Sequence, residues 1–265
     1  MKETLLFLLL PLLWGITLGA EAAPKTFVLV HPAWHGGWCW QKMVPLLEAK
    51  GHKVVVFDLP GHGKDQKTPE QATFQDYVQK VVQMVNAQSE PVVLLGHSSS
   101  GIVISQAAEQ LGPQKVAKLV YLDAFLPKDG ESLLDVAKKS FVPPPAGVKP
   151  PVSLASNVSP DGKTCSLTNE MVEELLYADC SREDMALAKA LLCHEPMTTF
   201  ITPVQVTQAR FGAIPKYYIL CTHAKDFDKR NVAANGPCQK TYTLPSGHMP
   251  FFSMPERLAA ILHEI

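Results

Sequence analysis

The stretch around residues 91–105 constrains the fold more than any other part of the chain. Its apolar run Val92–Leu95 predicts a buried strand, which ends at Gly96-His97-Ser98-Ser99-Ser100-Gly101 before a run that predicts a helix. The two glycines permit a tight turn and a close approach of strand and helix. A serine at the tip of such a turn is held above the sheet, so Ser98 is a candidate nucleophile. An ordinary Gly/Ser turn is the alternative interpretation.

Strands and helices alternate on both sides of this stretch. The predicted strands are 26–31, 54–58, 118–123, 217–222 and 239–244, and the predicted helices are 43–49, 74–87 and 255–262. This alternation predicts an α/β fold with a mostly parallel central sheet covered by helices on both faces. From about 127 to 206 the alternation breaks into a proline-rich section and two short helical segments, 170–177 and 182–193. We expect this section to be a helical lid insertion over the carboxyl ends of the strands.

The first 22 residues have the pattern of a secretory signal peptide. A leucine-rich core over residues 5–14 is followed by Ala20-Glu21-Ala22, which predicts cleavage before Ala23 and a mature domain over 23–265. An uncleaved membrane anchor is the alternative, but the core is shorter than the roughly 20 apolar residues of a membrane span and Pro11 interrupts it. We therefore predict a secreted or periplasmic protein with no stable membrane insertion after cleavage.

The charge balance and the cysteines limit the kinds of partner and cross-link that the chain is expected to have. The chain carries 24 Lys and Arg against 25 Asp and Glu, with no basic run, which argues against a nucleic-acid partner. The spacing of Cys and His does not indicate a metal site. Six cysteines in an exported chain permit disulfides. Cys39 and Cys221 are expected to be buried thiols, and the candidates for bridges are Cys165, Cys180, Cys193 and Cys238.

The motifs resemble the α/β-hydrolase superfamily, and more narrowly its branch of plant methylesterases, hydroxynitrile lyases and related bacterial esterases. The matching segments, in the family's order, are Phe27–Trp40, Val44–Val54, Gly96–Gly101, Tyr218–Thr222 and Ser246–Pro250. The resemblance runs from residue 27 to the C terminus and is weakest in the insertion. One departure is Ser100, which stands where the family's Gly-His-Ser-x-Gly-Gly has its first closing glycine. The resemblance implies the α/β-hydrolase fold.

The resemblance also assigns a set of reacting groups. Ser98 would be the nucleophile, and His248, in the turn after the last strand, would be its general base, a role that suits a side chain titrating near neutral pH. The oxyanion hole would be formed by the backbone N–H groups of Ala33 and Ser99. Pro32 replaces a residue that is usually glycine, but the required donor belongs to the next residue, so the hole can survive.

The acid that should orient His248 departs from the plant pattern. In the plant enzymes it follows the strand matched here by Tyr218–Thr222, at a position that falls on Ala224. Asp226 lies two residues further on. Some α/β-hydrolases carry the acid after the next strand beyond the nucleophile helix, where this chain has Asp123. Both strand ends border one crevice. We favour Asp123 and keep Asp226 as the alternative, with a purely loop-bonding role for Asp123 as a third interpretation.

These features predict a secreted serine hydrolase that cleaves a carboxylic ester of a small to medium lipophilic substrate through an acyl-enzyme on Ser98. No cofactor or metal is implied. The apolar lid residues that indicate a lipophilic substrate are Met185, Leu187, Leu191, Leu192 and Met197. A non-catalytic ligand-binding homologue is one alternative. A hydroxynitrile lyase-type enzyme is another, although the lyases that resemble this chain carry Thr and Lys where it has Pro32 and Met249.

Overall fold

The computed structural model describes residues 23–140, 157–233 and 235–265. The predicted signal peptide and the proline-rich part of the insertion lie outside the described residues. The strands are β1 Thr26–Val30, β2 Lys53–Val56, β3 Val92–His97, β4 Val116–Leu122, β5 Thr164–Cys165, β6 Glu195–Pro196, β7 Lys216–Cys221 and β8 Lys240–Leu244. The α-helices are α1 Met43–Glu48, α2 Phe74–Asn86, α3 Ser100–Leu111, α4 Leu133–Ser140, α5 Asn169–Met171, α6 Arg182–Leu191, α7 Thr198–Ile201, α8 Arg230–Ala233, α9 Pro250–Ser253 and α10 Pro255–Glu264.

Six strands form one sheet in the order β2-β1-β3-β4-β7-β8, and every neighbouring pair is parallel. Along β1, Val28 and Val30 pack into the core on one face, with α2 and α3. Phe27 and Leu29 pack into the core on the other face, with α1 and α10. Side chains alternate across a strand, so an unbroken apolar strand needs a core on each face. The predicted α/β-hydrolase architecture is confirmed.

The turn between β3 and α3 is held by close backbone contacts. Ser98 at its tip has a φ of 54°, in the left-handed region. A Cβ on Gly96 would lie 2.7 Å from the Ser100 carbonyl oxygen, and one on Gly101 would lie 2.2 Å from the Phe125 carbonyl oxygen. Both positions therefore require glycine. Ser100 fits where the family has glycine, since its hydroxyl is buried and donates to the His31 carbonyl.

The described part of the insertion differs in detail from the sequence expectation. It contains a short antiparallel pair, β5 and β6, which the sequence did not reveal. The helix expected over 170–177 is one turn of α5 followed by a π-helical turn over Val172–Leu176. Helix α6 begins at Arg182 and is capped by Ser181, whose hydroxyl accepts the Asp184 N–H.

Two further observations concern the described residues as a whole. All six cysteines are free thiols in the structure, so the bridges for which Cys165, Cys180, Cys193 and Cys238 were candidates are not formed in it. Cys39, Cys165 and Cys221 are buried. Across the described ranges, no helix is both long enough and apolar enough to cross a membrane.

The contact at Gly101 generates a test of the turn. We expect Gly101→Ala to destabilise the fold by about 1–3 kcal/mol, because the added methyl group must displace the Phe125 carbonyl. The measurement is the urea midpoint at constant m. Gly236→Ala is the matched control, since its Cβ would meet only the end of the Leu126 side chain at 3.3 Å. Equal midpoints for the two variants would contradict this account of the turn.

Candidate active site

Three side chains from separate strand ends form a hydrogen-bonded chain. His248 Nε2 lies 2.9 Å from Ser98 Oγ, and His248 Nδ1 lies 2.7 Å from Asp123 Oδ2. The carboxylate accepts the Nδ1 proton, so Nε2 presents a lone pair to the Ser98 hydroxyl. All three residues are buried, with Ser98 retaining 8% exposure. The structure thus brings together Ser98, His248 and Asp123, the three side chains that the sequence analysis favoured.

The sheet explains why these groups meet. Ser98 follows β3, Asp123 follows β4, and His248 lies in the loop after β8, all at the carboxyl edge of the parallel sheet. Asp123 adopts a left-handed φ of 42°, and its N–H donates to the Ile219 carbonyl at 2.7 Å. Its Oδ1 accepts the Cys221 N–H at 3.2 Å. Strand β7 therefore anchors the carboxylate on the side away from His248.

The alternative acid, Asp226, lies at the same site in a different position. Its Oδ2 is 3.5 Å from His248 Nε2, on the side of the imidazole that faces Ser98. Lys229, which the sequence analysis did not single out, places its Nζ 3.0 Å from Asp123 Oδ2 and 2.5 Å from Asp226 Oδ2. Asp123, Asp226 and His248 are the one group of possible metal ligands within the described ranges. The Lys229 ammonium already occupies the cation position between the two carboxylates.

The charges of this cluster are mutually dependent. Burial alone would raise the pKa of the Asp123 carboxyl, but the Lys229 ammonium and the hydrogen bond from His248 outweigh burial and hold that pKa well below its usual range. Burial alone would lower the pKa of Lys229, yet the Asp123 and Asp226 carboxylates raise it above its ordinary value. Asp123 is therefore ionised and Lys229 is protonated at neutral pH.

Three nearby histidines support loops in the neutral form. His31 Nε2 accepts the Leu59 N–H at 3.0 Å, and burial holds the pKa of His31 well below its usual value. His97 Nδ1 donates to the Leu122 carbonyl at 2.7 Å, and burial likewise lowers its pKa. Burial lowers the pKa of His35 to about 3. Neutral rings beside His248 leave its charge balance to Asp123, Asp226 and Lys229.

The loop after β1 contains Ala33, one of the two residues predicted to form the oxyanion hole. The Ala33 N–H donates to Ser99 Oγ at 2.7 Å in this structure, so a substrate oxygen has to displace that hydroxyl. Trp34 has a φ of 65°, a conformation that costs on the order of 1–3 kcal/mol in a non-glycine residue. Its N–H donates to Glu195 Oε2 at 3.0 Å, and its carbonyl accepts the Cys193 N–H at 3.0 Å. The insertion therefore holds both polar groups of this strained residue.

Glu195 belongs to a second buried ion pair that sequence reasoning missed. Its Oε2 lies 2.9 Å from His62 Nε2, with both side chains at most 1% exposed. Burial acts to lower the pKa of His62, but the Glu195 carboxylate outweighs it and raises that pKa to about 10. Thr199 donates to Glu195 Oε1 at 2.8 Å. Only the contacts between β6 and the loop after β2 reveal this pair, since the residues lie 133 positions apart.

The insertion also contacts the His248 turn. Asp179 Oδ2 accepts the Gly247 N–H at 2.6 Å, one residue before His248. Among the apolar lid residues, Leu191 is 43% exposed and packs into neither core.

Comparison with known proteins places this geometry in a family. Residues 27–261 match the alpha/beta hydrolase family. Salicylic acid-binding protein 2 of Nicotiana tabacum is 34% identical over 254 residues, which cover 91% of this chain and 96% of that protein. Polyneuridine aldehyde esterase of Rauvolfia serpentina is 30% identical, covering 91% and 95% of the two chains. The crystal structure of a polyneuridine aldehyde esterase superposes with a TM-score of 0.80 at 27% identity, covering 91% and 99%. The chain therefore belongs to the alpha/beta hydrolase family, as the resemblance in its motifs indicated.

Proposed function

We propose that this chain is a serine hydrolase that cleaves a carboxylic ester through an acyl-enzyme on Ser98. Its family and its esterase relatives support a carboxylic ester hydrolase that acts on a small molecule. The observation that carries the finer proposal is the continuous hydrogen-bonded chain from Ser98 Oγ through His248 to Asp123 Oδ2. Three side chains in this order are what a serine hydroxyl needs to become a nucleophile.

In the first half of the reaction, His248 Nε2 takes the Ser98 proton as Oγ attacks the ester carbonyl carbon. Asp123 accepts the Nδ1 hydrogen bond throughout, which fixes the tautomer and stabilises the imidazolium. The imidazolium then gives its proton to the departing alcohol, and the acyl group remains on Ser98. In the second half His248 deprotonates a water molecule as it attacks the acyl carbon. When the bond from that carbon to Ser98 Oγ breaks, the imidazolium returns its proton to Oγ and the acid is released.

The negative oxygen of each tetrahedral intermediate needs fixed donors. We assign this role to the N–H groups of Ala33 and Ser99. Ser99 follows the nucleophile directly and is the N-cap of α3, and the Ala33 N–H already lies against this turn, where a substrate oxygen would replace the Ser99 hydroxyl as its acceptor. The next residue, Trp34, is fixed by Glu195 and by the Cys193 N–H, which holds this loop in place.

The substrate is proposed to be a lipophilic ester of small to medium size. The apolar surroundings of the oxyanion loop support this choice, since the Trp34 ring packs 5.7 Å from Phe200 and Leu192 packs against both cores. A ligand-binding role is the second candidate, because one relative is named for binding salicylic acid and this chain has Ala224 where the plant acid falls. The complete Ser98–His248–Asp123 chain favours catalysis over binding alone. The lyase alternative has no support from Pro32 and Met249.

Hydrolysis of a p-nitrophenyl ester series tests the proposed function. We expect Ser98→Ala to reduce activity to background and Asp123→Asn to reduce kcat by about 10³- to 10⁴-fold, because the amide no longer selects the working tautomer. Asp228→Asn is the matched control, since this partly exposed carboxylate of the same region forms its ion pair with Arg230 and does not belong to the Ser98–His248–Asp123 chain. A fluorophosphonate probe should label the wild-type chain at Ser98. Failure to label, with wild-type rates equal to those of Ser98→Ala, would favour ligand binding.

Glu195 provides a test of how the oxyanion loop is positioned. We expect Glu195→Gln to lower kcat by about tenfold or more with a smaller change in KM, because the buried imidazolium loses its partner and Trp34 shifts. It should also lower the free energy of unfolding by about 3–5 kcal/mol. Since the pKa of His62 is raised, the stabilisation is complete below its ordinary value of 6.5 and disappears as the pH rises through about 10.

The comparison for this variant is Glu173→Gln, which removes a largely exposed lid carboxylate paired with Lys189. It should change neither kcat nor the pH dependence of stability. Equal kcat values for Glu195→Gln and Glu173→Gln would contradict the prediction that Glu195 positions the oxyanion loop.

We further propose that residues 1–22 direct export and that the mature protein begins at Ala23. Expression of the full chain in a bacterial host, followed by intact-mass analysis of the exported fraction, should give the mass of residues 23–265. Replacement of Leu8 and Leu9 by Arg should retain the chain in the cytoplasm, because charges disrupt the apolar core. An exported protein that still contains Met1 would contradict cleavage.

A further inference from the structure

Asp226 and Lys229 are deeply buried charges that the proposed mechanism does not use. The side chain of Lys229 is fully buried, and that of Asp226 is 1% exposed. Burying charge is costly unless its partners compensate. Asp226 Oδ1 is buried as well and has no hydrogen-bond partner. A pair this costly beside the proposed base calls for an explanation in terms of what it contacts.

Both side chains contact His248. Lys229 Nζ lies 3.4 Å from Nδ1, on the side where Asp123 accepts the ring proton. Asp226 Oδ2 lies 3.5 Å from Nε2, the nitrogen that faces Ser98 Oγ at 2.9 Å. The imidazole therefore has a carboxylate close to each nitrogen, and one ammonium joins the two carboxylates.

Asp179 contacts the turn beside His248 through the Gly247 N–H, and the other titratable groups facing the His248 ring are neutral. His97 packs against it at 4.5 Å between ring centroids, and His35 interacts with it electrostatically from the oxyanion loop. Both histidines are held in the uncharged form by burial. With His248 neutral, the cluster carries two carboxylates and one ammonium, a net charge of −1. When His248 accepts the Ser98 proton, the cluster becomes neutral.

The balance fails if either member of the pair is removed. Without Lys229 the resting cluster would carry a net charge of −2, which favours the imidazolium over the neutral base. Without Asp226 the Lys229 ammonium would offset Asp123, and the imidazolium would face a net neutral environment. Removal of Lys229 alone and removal of Asp226 alone are therefore both expected to impair proton transfer to His248. The first favours the imidazolium and the second disfavours it.

We propose that Asp226 and Lys229 are a positioning and charge-balancing pair for His248. Lys229 joins Asp123 to Asp226, and Asp226 stabilises the imidazolium from the Nε2 side while Asp123 holds Nδ1. Together they set the pH range in which His248 works as a base. This inference rests on the proposed function, since it concerns the same proton transfer from Ser98 to His248.

The pH dependence of kcat/KM tests the pair in four proteins: wild type, Asp226→Asn, Lys229→Met and the double variant. The acid limb of this profile reports protonation of the essential base in the free enzyme. We expect Asp226→Asn to move the limb to lower pH by about one unit, and Lys229→Met to move it to higher pH by about one unit or more. The double variant restores the net charge of −1 and should return the limb close to its wild-type position.

The opposite signs and the recovery in the double variant separate charge balance from a structural role. Loss of packing would lower activity in both single variants, would add in the double variant and would leave the limb in place. Asp228→Asn serves as the control, because it removes a carboxylate of the same loop that pairs with exposed Arg230. Thermal unfolding identifies any variant that does not fold, and the near-isosteric Asp226→Asn keeps the test informative if Lys229→Met fails.

An unmoved limb in Asp226→Asn, or shifts of the same sign in the two single variants, would overturn the pair. This result is distinguishable from failure of the proposed function. If the proposed function fails, the wild-type chain is no more active than Ser98→Ala. If only the pair fails, the wild-type chain is active and its pH profile of kcat/KM has an ordinary acid limb.

Discussion

The hydrogen bond between His248 Nδ1 and Asp123 Oδ2, at 2.7 Å, is the contact on which the organisation of the site depends. It joins the loop after β8 to the end of β4, across the intervening strand β7. Strand β7 also holds Asp123 in place. Its Ile219 carbonyl accepts the Asp123 N–H, and its Cys221 N–H donates to the Asp123 carboxylate. A buried carboxylate held from three directions keeps one orientation, and the imidazole it binds keeps one as well.

This arrangement explains how the chain tolerates Ala224 where the related plant enzymes carry their acid. Strands β4 and β7 are hydrogen-bonded neighbours, so a carboxylate after either strand lies beside His248: Asp123 binds Nδ1, and Asp226 lies 3.5 Å from Nε2. Moving the acid one strand over leaves the loop after β7 free for other residues. Asp226 and Lys229 occupy the vacated space, and the site gains a second carboxylate together with the cation that offsets it.

Sequence reasoning reached those parts of the site that depend on local pattern. The glycines around Ser98 and the turn at His248 each lie within fewer than ten consecutive residues, and each strand or helix of the alternation is recognised from its own short segment. Asp123 was favoured because some α/β-hydrolases, which the chain resembles, carry their acid after that strand, and the end of that strand borders the same crevice as the end of β7. Lys229 and Glu195 were not found, because a charged residue in a loop looks solvent-exposed until its partner is known, and the partner of Glu195 is 133 residues away. The antiparallel pair β5–β6 was missed for a different reason, because strands of two residues are too short to show an alternating pattern.

The insertion acts on the site as a support and not only as a cover. Two loops of the candidate site leave backbone N–H groups without partners in regular structure, one at Trp34 beside the proposed oxyanion donor Ala33 and one at Gly247 beside the proposed base His248. Each is satisfied by a carboxylate from the insertion, Glu195 in the first case and Asp179 in the second. A buried N–H without an acceptor costs about 1–3 kcal/mol, so the loops and the insertion stabilise one another. Changes to the insertion that alter which ester fits are therefore expected to move Ala33 and His248 as well, the proposed oxyanion donor and the proposed proton acceptor.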